Sequence, residues 1–296
     1  MNKTVRSLLN PFKWIRANRL ARQDSGYDKS SSDMELSLYS KILKNDMLHY
    51  GYFENPEIST DEISISQLEN AQIKYAENII DQLPHPSGNI LDVGCGMGGL
   101  SAMLKKKGHS VEAVTPNKRQ VNYIKQKYPE IPVHQFRFED FNSDKKFKTI
   151  INSESLQYIN LKTAFAKVDS LTLPDSRWII VDYFRLNDSG INKSAHLFED
   201  FIKAVNESKW KIIYEKEITQ NVLPTLRMIN LYVERFILPV KEYGWNKLRY
   251  KKGWLYYLLD DLRDSVDKKF TKELASVDPE KFLREKKYVM FVLEKK

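Results

Sequence analysis

The residues with the clearest chemical potential lie in Ile90-Leu91-Asp92-Val93-Gly94-Cys95-Gly96-Met97-Gly98-Gly99-Leu100. Asn89 to Val93 is a short, apolar, β-branched run that suits a buried strand. The glycines after it suit a tight turn into a helix over Leu100 to Lys107. Such a turn can hold a nucleotide-bearing ligand, because glycine lets the backbone come close and the helix end offers N–H groups. Gly94, Gly96 and Gly99 also satisfy the G-x-G-x-x-G dinucleotide spacing. Asp92 tells against a pyrophosphate, which its carboxylate would repel, and suits an ammonium or another cationic ligand. Two further residues can take part in catalysis. His49, in the aromatic loop Leu48-His49-Tyr50-Gly51-Tyr52-Phe53, is of a type that accepts protons near neutral pH. Tyr158 can orient a substrate. The five histidines are scattered, with no i, i+4 pair and no thiolate partner, so no metal site is expected. A G-x-S-x-G nucleophile elbow is absent.

Alternating elements must position these groups. Ser66 to Leu83 has the period of an amphipathic helix, ended by Pro84, Pro86 and Gly88 before the central strand. Strands follow at Ser110 to Thr115, Pro132 to Gln135, Phe147 to Asn152, Trp178 to Phe184 and Trp210 to Ile218. Tyr288 to Leu293 is the last strand. Helices are expected at Asn117 to Tyr128, Leu161 to Leu171 and Ser194 to Val205. Thr219 to about Glu285 is too long for a loop and carries helical patterns, so it reads as a helical insertion before the last strand.

Leu91-Asp92-Val93-Gly94-Cys95-Gly96 resembles the first motif of the class I S-adenosylmethionine (SAM) dependent methyltransferases. The likeness continues, with gaps, from about Met47 to about Phe184. The aromatic loop and the helix carrying Leu68 and Ala71-Gln72 resemble the cyclopropane fatty-acid synthase and sterol or small-molecule branch. This resemblance implies an α/β, Rossmann-like fold with seven strands, helices on both faces and a reversed last strand. It implies S-adenosyl-L-methionine as cofactor. Asp92, Gly94, Cys95 and Gly96 then belong to its glycine loop, Cys95 as a small packing residue. Tyr50 and Tyr52 lie in the loop over it, and Thr115 with Gln120 takes the ribose. Glu139 and Asp140 meet the adenine amino group, with Phe138 or Phe141 over the ring. Ser153 opens the loop Ser153 to Ile159 that faces the sulfonium. Thr115 brings no charge where an acid is common, so its bond to a hydroxyl should be weaker than a charge-assisted one. The chain also departs from the cyclopropane synthases. Gln157-Tyr158 stands where they have a Glu-His pair, and the aromatic loop lacks their small residues. Ordinary methyl transfer is therefore expected, with His49 and Tyr158 as catalytic candidates. A methyl on a sulfonium is already activated, so the protein mainly aligns a nucleophile and excludes water.

Composition bounds the partners. The 296 residues are 42% hydrophobic and 29% charged, which suits a packed core. The single cysteine excludes an intrachain disulfide. A formal charge of +8 favours acidic partners. Residues 1–33 read as a basic extension and linker, and residues 34–296 as the catalytic domain. The extension gathers Lys3, Arg6, Lys13, Arg16, Arg19 and Arg22 before the first acid, Asp24, with Leu8, Leu9, Phe12, Trp14 and Ile15 between them. That pattern suits peripheral contact with an anionic membrane. The expected acceptor is a small or lipid-like molecule, and the expected location is cytoplasmic, at or near such a surface. Nucleic-acid methylation and a non-catalytic protein of the same fold are the alternative readings.

Overall fold

The computed structural model describes residues 11–13, 15, 16, 19, 41–188 and 195–296. The chain divides into two units, Met1–Ile42 and Leu43–Lys296. In the first unit the described residues are helical. Most of the basic segment and the polar stretch after it lie outside the described residues. So does Ser194, the expected start of a helix.

The second unit is built on a seven-stranded sheet of order β3-β2-β1-β4-β5-β7-β6. Its strands are β1 (Asn89–Val93), β2 (Ser110–Thr115), β3 (Val133–Gln135), β4 (Phe147–Ser153), β5 (Thr172–Arg185), β6 (Trp210–Glu217) and β7 (Lys286–Lys295). The first five pair in parallel, and β7 runs antiparallel between β5 and β6. The apolar runs form the central strands because both faces are covered, as parallel sheets require. β5 starts well before the expected Trp178, and its register against β4 shifts between Phe147 and Thr149. Asp175, at φ 59°, gives the local turn that accommodates the extra residues.

Helices α1 (Ile65–Ile80), α2 (Gly99–Lys106), α3 (Lys118–Lys127), α4 (Leu161–Leu171) and α5 (Phe198–Asn206) flank the sheet. α1 begins in a capping box, with the Ser64 hydroxyl on the Gln67 amide and the Gln67 side chain on the Ser64 amide. On one face, Tyr75, Ala76 and Ile79 of α1 pack with Leu100 and Leu104 of α2. On the other, Phe165 and Val168 of α4 pack with Phe201 and Val205 of α5. The insertion runs through α6 (Thr219–Tyr232), a π-helical turn at Val233–Ile237, α7 (Leu238–Lys251), α8 (Gly253–Leu258), α9 (Asp260–Ser276) and α10 (Pro279–Glu285). Among the described residues, no helix is long and apolar enough to cross a membrane.

Trp178 of β5 joins core and site. Its ring meets Phe165 and Trp210 edge-on, and its indole donates to Asn152 Oδ1 at 2.8 Å. Trp178→Ala leaves a large cavity and a buried amide without its donor. It should cost about 3–5 kcal/mol, read as a lowered midpoint of urea unfolding.

Candidate functional site

The site begins where β1 ends. Gly94 has φ 72° and Gly96 φ 56°, both in the left-handed region that glycine adopts without strain. A Cβ on Gly94 would lie 2.4 Å from the Cβ of Ser155, so a side chain there would displace the loop after β4. Ser155 Oγ donates to the Val93 carbonyl at 2.6 Å and accepts from Asn152 at 2.9 Å. These contacts tie the ends of β1 and β4 together. Between the loops lies a cavity of about 350 Å³. Val93, Val114, Pro116 and Ile159 give it apolar walls, Phe136 and Phe138 aromatic ones, and Glu139 and Arg137 a polar edge. Of the expected site residues, Gly94, Phe138, Glu139 and Tyr158 line it. Glu139 is within 3.5 Å of Arg137. Tyr158 is 74% exposed at the mouth.

Several other expected residues do not line this cavity. Asp92 is buried and accepts from Ser101 of α2 at 2.5 Å, and burial raises its pKa to about 6. Thr115 donates to Gln120 at 2.6 Å, and both are buried. Cys95 is a buried free thiol packed with Ala113 and Ile124. Asp140 is exposed. Tyr52 turns toward β6, where Lys216 donates to its hydroxyl at 2.9 Å.

A segment over residues 45–53 covers the glycine loop. Its Asp46 carboxylate accepts from the hydroxyls of Tyr123 and Tyr128 and from Lys127. Gln72 of α1 donates to the carbonyls of Met47 and His49 at 2.9 and 2.8 Å. α6 holds the far end, through Thr225 on the Gly51 amide and Asn221 on both backbone groups of Phe53.

Comparison with known proteins adds similarity of sequence and of fold. Residues 90–175 match the family described as methyltransferase domain. The seven-stranded sheet has the fold of solved methyltransferases. Over 150 residues the chain is 28% identical to geranyl diphosphate 2-C-methyltransferase of Saccharopolyspora erythraea, covering 45% of this chain and 53% of that protein. It therefore spans about half the length of that relative. Over 227 residues it is 27% identical to the O-methyltransferase cnsE of Penicillium expansum, covering 68% and 76%. The cyclopropane synthase MmaA2 from Mycobacterium tuberculosis superposes with a TM-score of 0.61 at 13% identity, over 86% of this chain and 93% of that one.

Within this methyltransferase fold, a buried polar network links β4, α1 and β7. Ser153 Oγ meets the Tyr75 hydroxyl at 3.3 Å, and Tyr75 meets the Tyr288 hydroxyl at 3.0 Å. Tyr288 in turn donates to Glu154 Oε1 at 2.5 Å, an oxygen that also accepts the Tyr50 amide at 2.8 Å. Burial raises the pKa of Glu154 to about 7. Asp182 of β5 accepts the amides of Gln157 and Tyr183, and burial raises it to about 8. Lys286 lies over the Tyr183 ring at 4.1 Å, and burial lowers it to about 8.

His49 does not titrate near neutral pH as its type suggests. It is buried and stacked on Tyr75 with ring centroids 4.1 Å apart, and burial lowers its pKa to about 4. Its Nδ1 faces the Tyr50 carbonyl at 2.8 Å and so carries the hydrogen, leaving Nε2 as a neutral acceptor. Tyr75, Glu154, Asp182, Lys286 and Tyr288 are absent from the sequence-based set of site residues. The available signal was Asp182, a lone carboxyl in the apolar run Trp178 to Phe184. Among the described residues, no group of His, Cys, Asp and Glu is arranged to hold a metal.

Asp182 yields a pH prediction. It ionises near 3.8 in the unfolded chain and near 8 in the folded one. The fold therefore binds the extra proton, and this contribution is full below the lower value and lost as pH rises toward the upper. From about pH 5 to 8 the urea midpoint of the wild type should fall relative to that of Asp182→Asn.

Proposed function

We propose that this chain transfers a methyl group from SAM to a small-molecule acceptor. The observation that carries this reading is the crevice between β1 and β4, where a glycine loop, aromatic walls and Glu139 border one cavity. Its residues fit the donor. Phe136 and Phe138 offer faces to a purine, Glu139 can accept from its amino group, and the loop at Gly94 and Gly96 admits a close backbone approach. When bound, SAM supplies the activated methyl. The chain's residues orient the acceptor and exclude water through the 45–53 segment and α6. His49 and Tyr158 are proposed at the acceptor side, His49 as a hydrogen-bond acceptor and Tyr158 at the mouth. The matched methyltransferase domain supports the same reading.

Gly96→Val tests the cofactor site. A β-branched residue at φ 56° is strained, and Leu48 lies 3.3 Å from the new Cβ. Restoring the binding geometry should take back about 1–3 kcal/mol, about ten- to a hundredfold in SAM affinity by calorimetry. Unchanged affinity in the folded variant would mean the loop is not the SAM site.

We further infer peripheral contact with an anionic membrane, supported by the insertion. Tyr250 is 90% exposed, and Tyr257 and Leu258 are also exposed beside Lys247, Arg249 and Lys251. No acid occurs between Tyr243 and Leu259. Each basic residue near such a surface contributes about 1 kcal/mol, screened by salt. The chain should co-sediment with anionic vesicles at low salt and be released at high salt. Charge-reversing Lys247, Arg249 and Lys251 together should weaken that binding, and indifference to anionic vesicles at low salt would refute it.

A further inference from the structure

The polar network around Glu154 holds hydrogen-bond acceptors that the protein does not satisfy. His49 Nε2 and Gln157 Oε1 are buried and have no hydrogen-bond partner among the described residues. Both connect to Glu154. The His49 ring lies on Tyr75, two hydroxyl steps from Glu154. The Gln157 amide nitrogen donates to the Glu154 carbonyl, and its backbone amide donates to Asp182. Glu154 itself follows β4, in the left-handed conformation at φ 50° that non-glycine residues rarely adopt. Buried acceptors without donors are costly, and native proteins leave few of them. A ligand that supplies donors would repay that cost.

Resting on the methyltransferase reading, we propose that Glu154, Gln157 and His49 form the acceptor subsite and that it takes a primary or secondary amine on an apolar body. An anionic acceptor would add lone pairs where donors are needed. One hydroxyl brings a single hydrogen for the two unpartnered acceptors, His49 Nε2 and Gln157 Oε1, whereas an ammonium group brings two or three. Tyr50, Tyr183 and Phe282 provide the apolar surroundings. The one nearby cation, among the described residues of the network, is Lys286, held over the rings of Tyr183 and Phe282.

The chemistry balances. The entering ammonium passes one proton to the Glu154 carboxylate and becomes the neutral nucleophile. Its nitrogen lone pair forms the bond to the methyl carbon as the carbon–sulfur bond breaks, and that electron pair stays on sulfur. The positive charge moves from sulfonium to the methylated nitrogen, and Glu154 returns its proton to solvent. His49 and Gln157 hold the remaining N–H groups, two in a primary amine and one in a secondary amine, so that the lone pair points at the methyl.

The test uses the full-length chain, methyl-labelled SAM and an extract of the cells that make the protein. SAM binding is first measured by calorimetry. After reaction, portions are extracted into organic solvent from acid and from alkali. SAM is a permanent cation and stays in water in both. A methylated amine crosses only from alkali, and that is the expected result. Label that crosses from both, or only from acid, identifies a neutral or acidic product and overturns the proposal. So does the lack of any labelled product from protein that binds SAM. Protein that does not bind SAM refutes the methyltransferase reading, and this one with it. As a second measurement, Glu154→Gln should lower kcat by about 100-fold or more with SAM affinity within about twofold. Loss of SAM affinity in its place would assign these atoms to the methyl donor and overturn the amine subsite.

Discussion

The close approach of Gly94 to Ser155 is the constraint on which the site depends. β1 lies between β2 and β4, and it is there that the sheet order reverses and leaves a crevice beyond the strand ends. Only a residue without a Cβ lets the two loops meet across it. Ser155 then spends its hydroxyl on the Val93 carbonyl, and Asn152 joins it to the indole of Trp178. A line of hydrogen bonds thus runs from a fully buried aromatic of the core to the floor of the cavity. Rigidity of the floor follows from burial of the core, not from the loop's own conformation.

The cover over that floor is held from three sides. α3 grips Asp46, α1 grips Met47 and His49 through Gln72, and α6 grips Gly51 and Phe53. Gly99, the first residue of α2, has the carbonyls of Asn45 and Asp46 2.8 Å from its virtual Cβ, so this helix start also needs a bare backbone. Four glycine-dependent or amide-dependent contacts therefore set the height of the roof. Tyr52 is part of this roof by its backbone, while its side chain reaches β6 and Lys216.

The strands were legible because the central ones are continuous apolar runs, and burial on both faces leaves little else for such runs to be. The antiparallel β7 and the helical insertion before it were legible for the same reason, one by apolarity and the other by length and period. The start of β5 was not, since Pro174 and Asp175 carry turn signals and the strand absorbs them as an irregularity. In the site, the glycines were legible because backbone geometry restricts the residue type. The partners of polar side chains were not. Nothing in Thr115 or Gln120 announces that they bond to each other, and nothing in His49 announces a stack on Tyr75 that removes it from neutral-pH titration. Residue type reports what a group can do, while burial decides whether it does so near pH 7.

The insertion shows the same division at a larger scale. Its first helix buries Val222, Leu223 and Leu226 against the core, and its last buries Phe282 beside Tyr50 and Tyr183. Between them, Val233 to Leu258 contributes no buried residue, yet it carries Phe236, Val240, Tyr243, Tyr250, Tyr257 and Leu258 in exposed positions. Its internal order rests on aromatic and cation–ring contacts, such as Arg263 over Tyr256 at 3.8 Å. Such contacts are worth about 0.5–1 kcal/mol when exposed, far less than the apolar burial at either end. A segment so anchored keeps its two ends fixed to the roof and the polar network while its middle leaves apolar surface uncovered. The ends belong to the energetics of the site, and the middle belongs to whatever surface the domain meets.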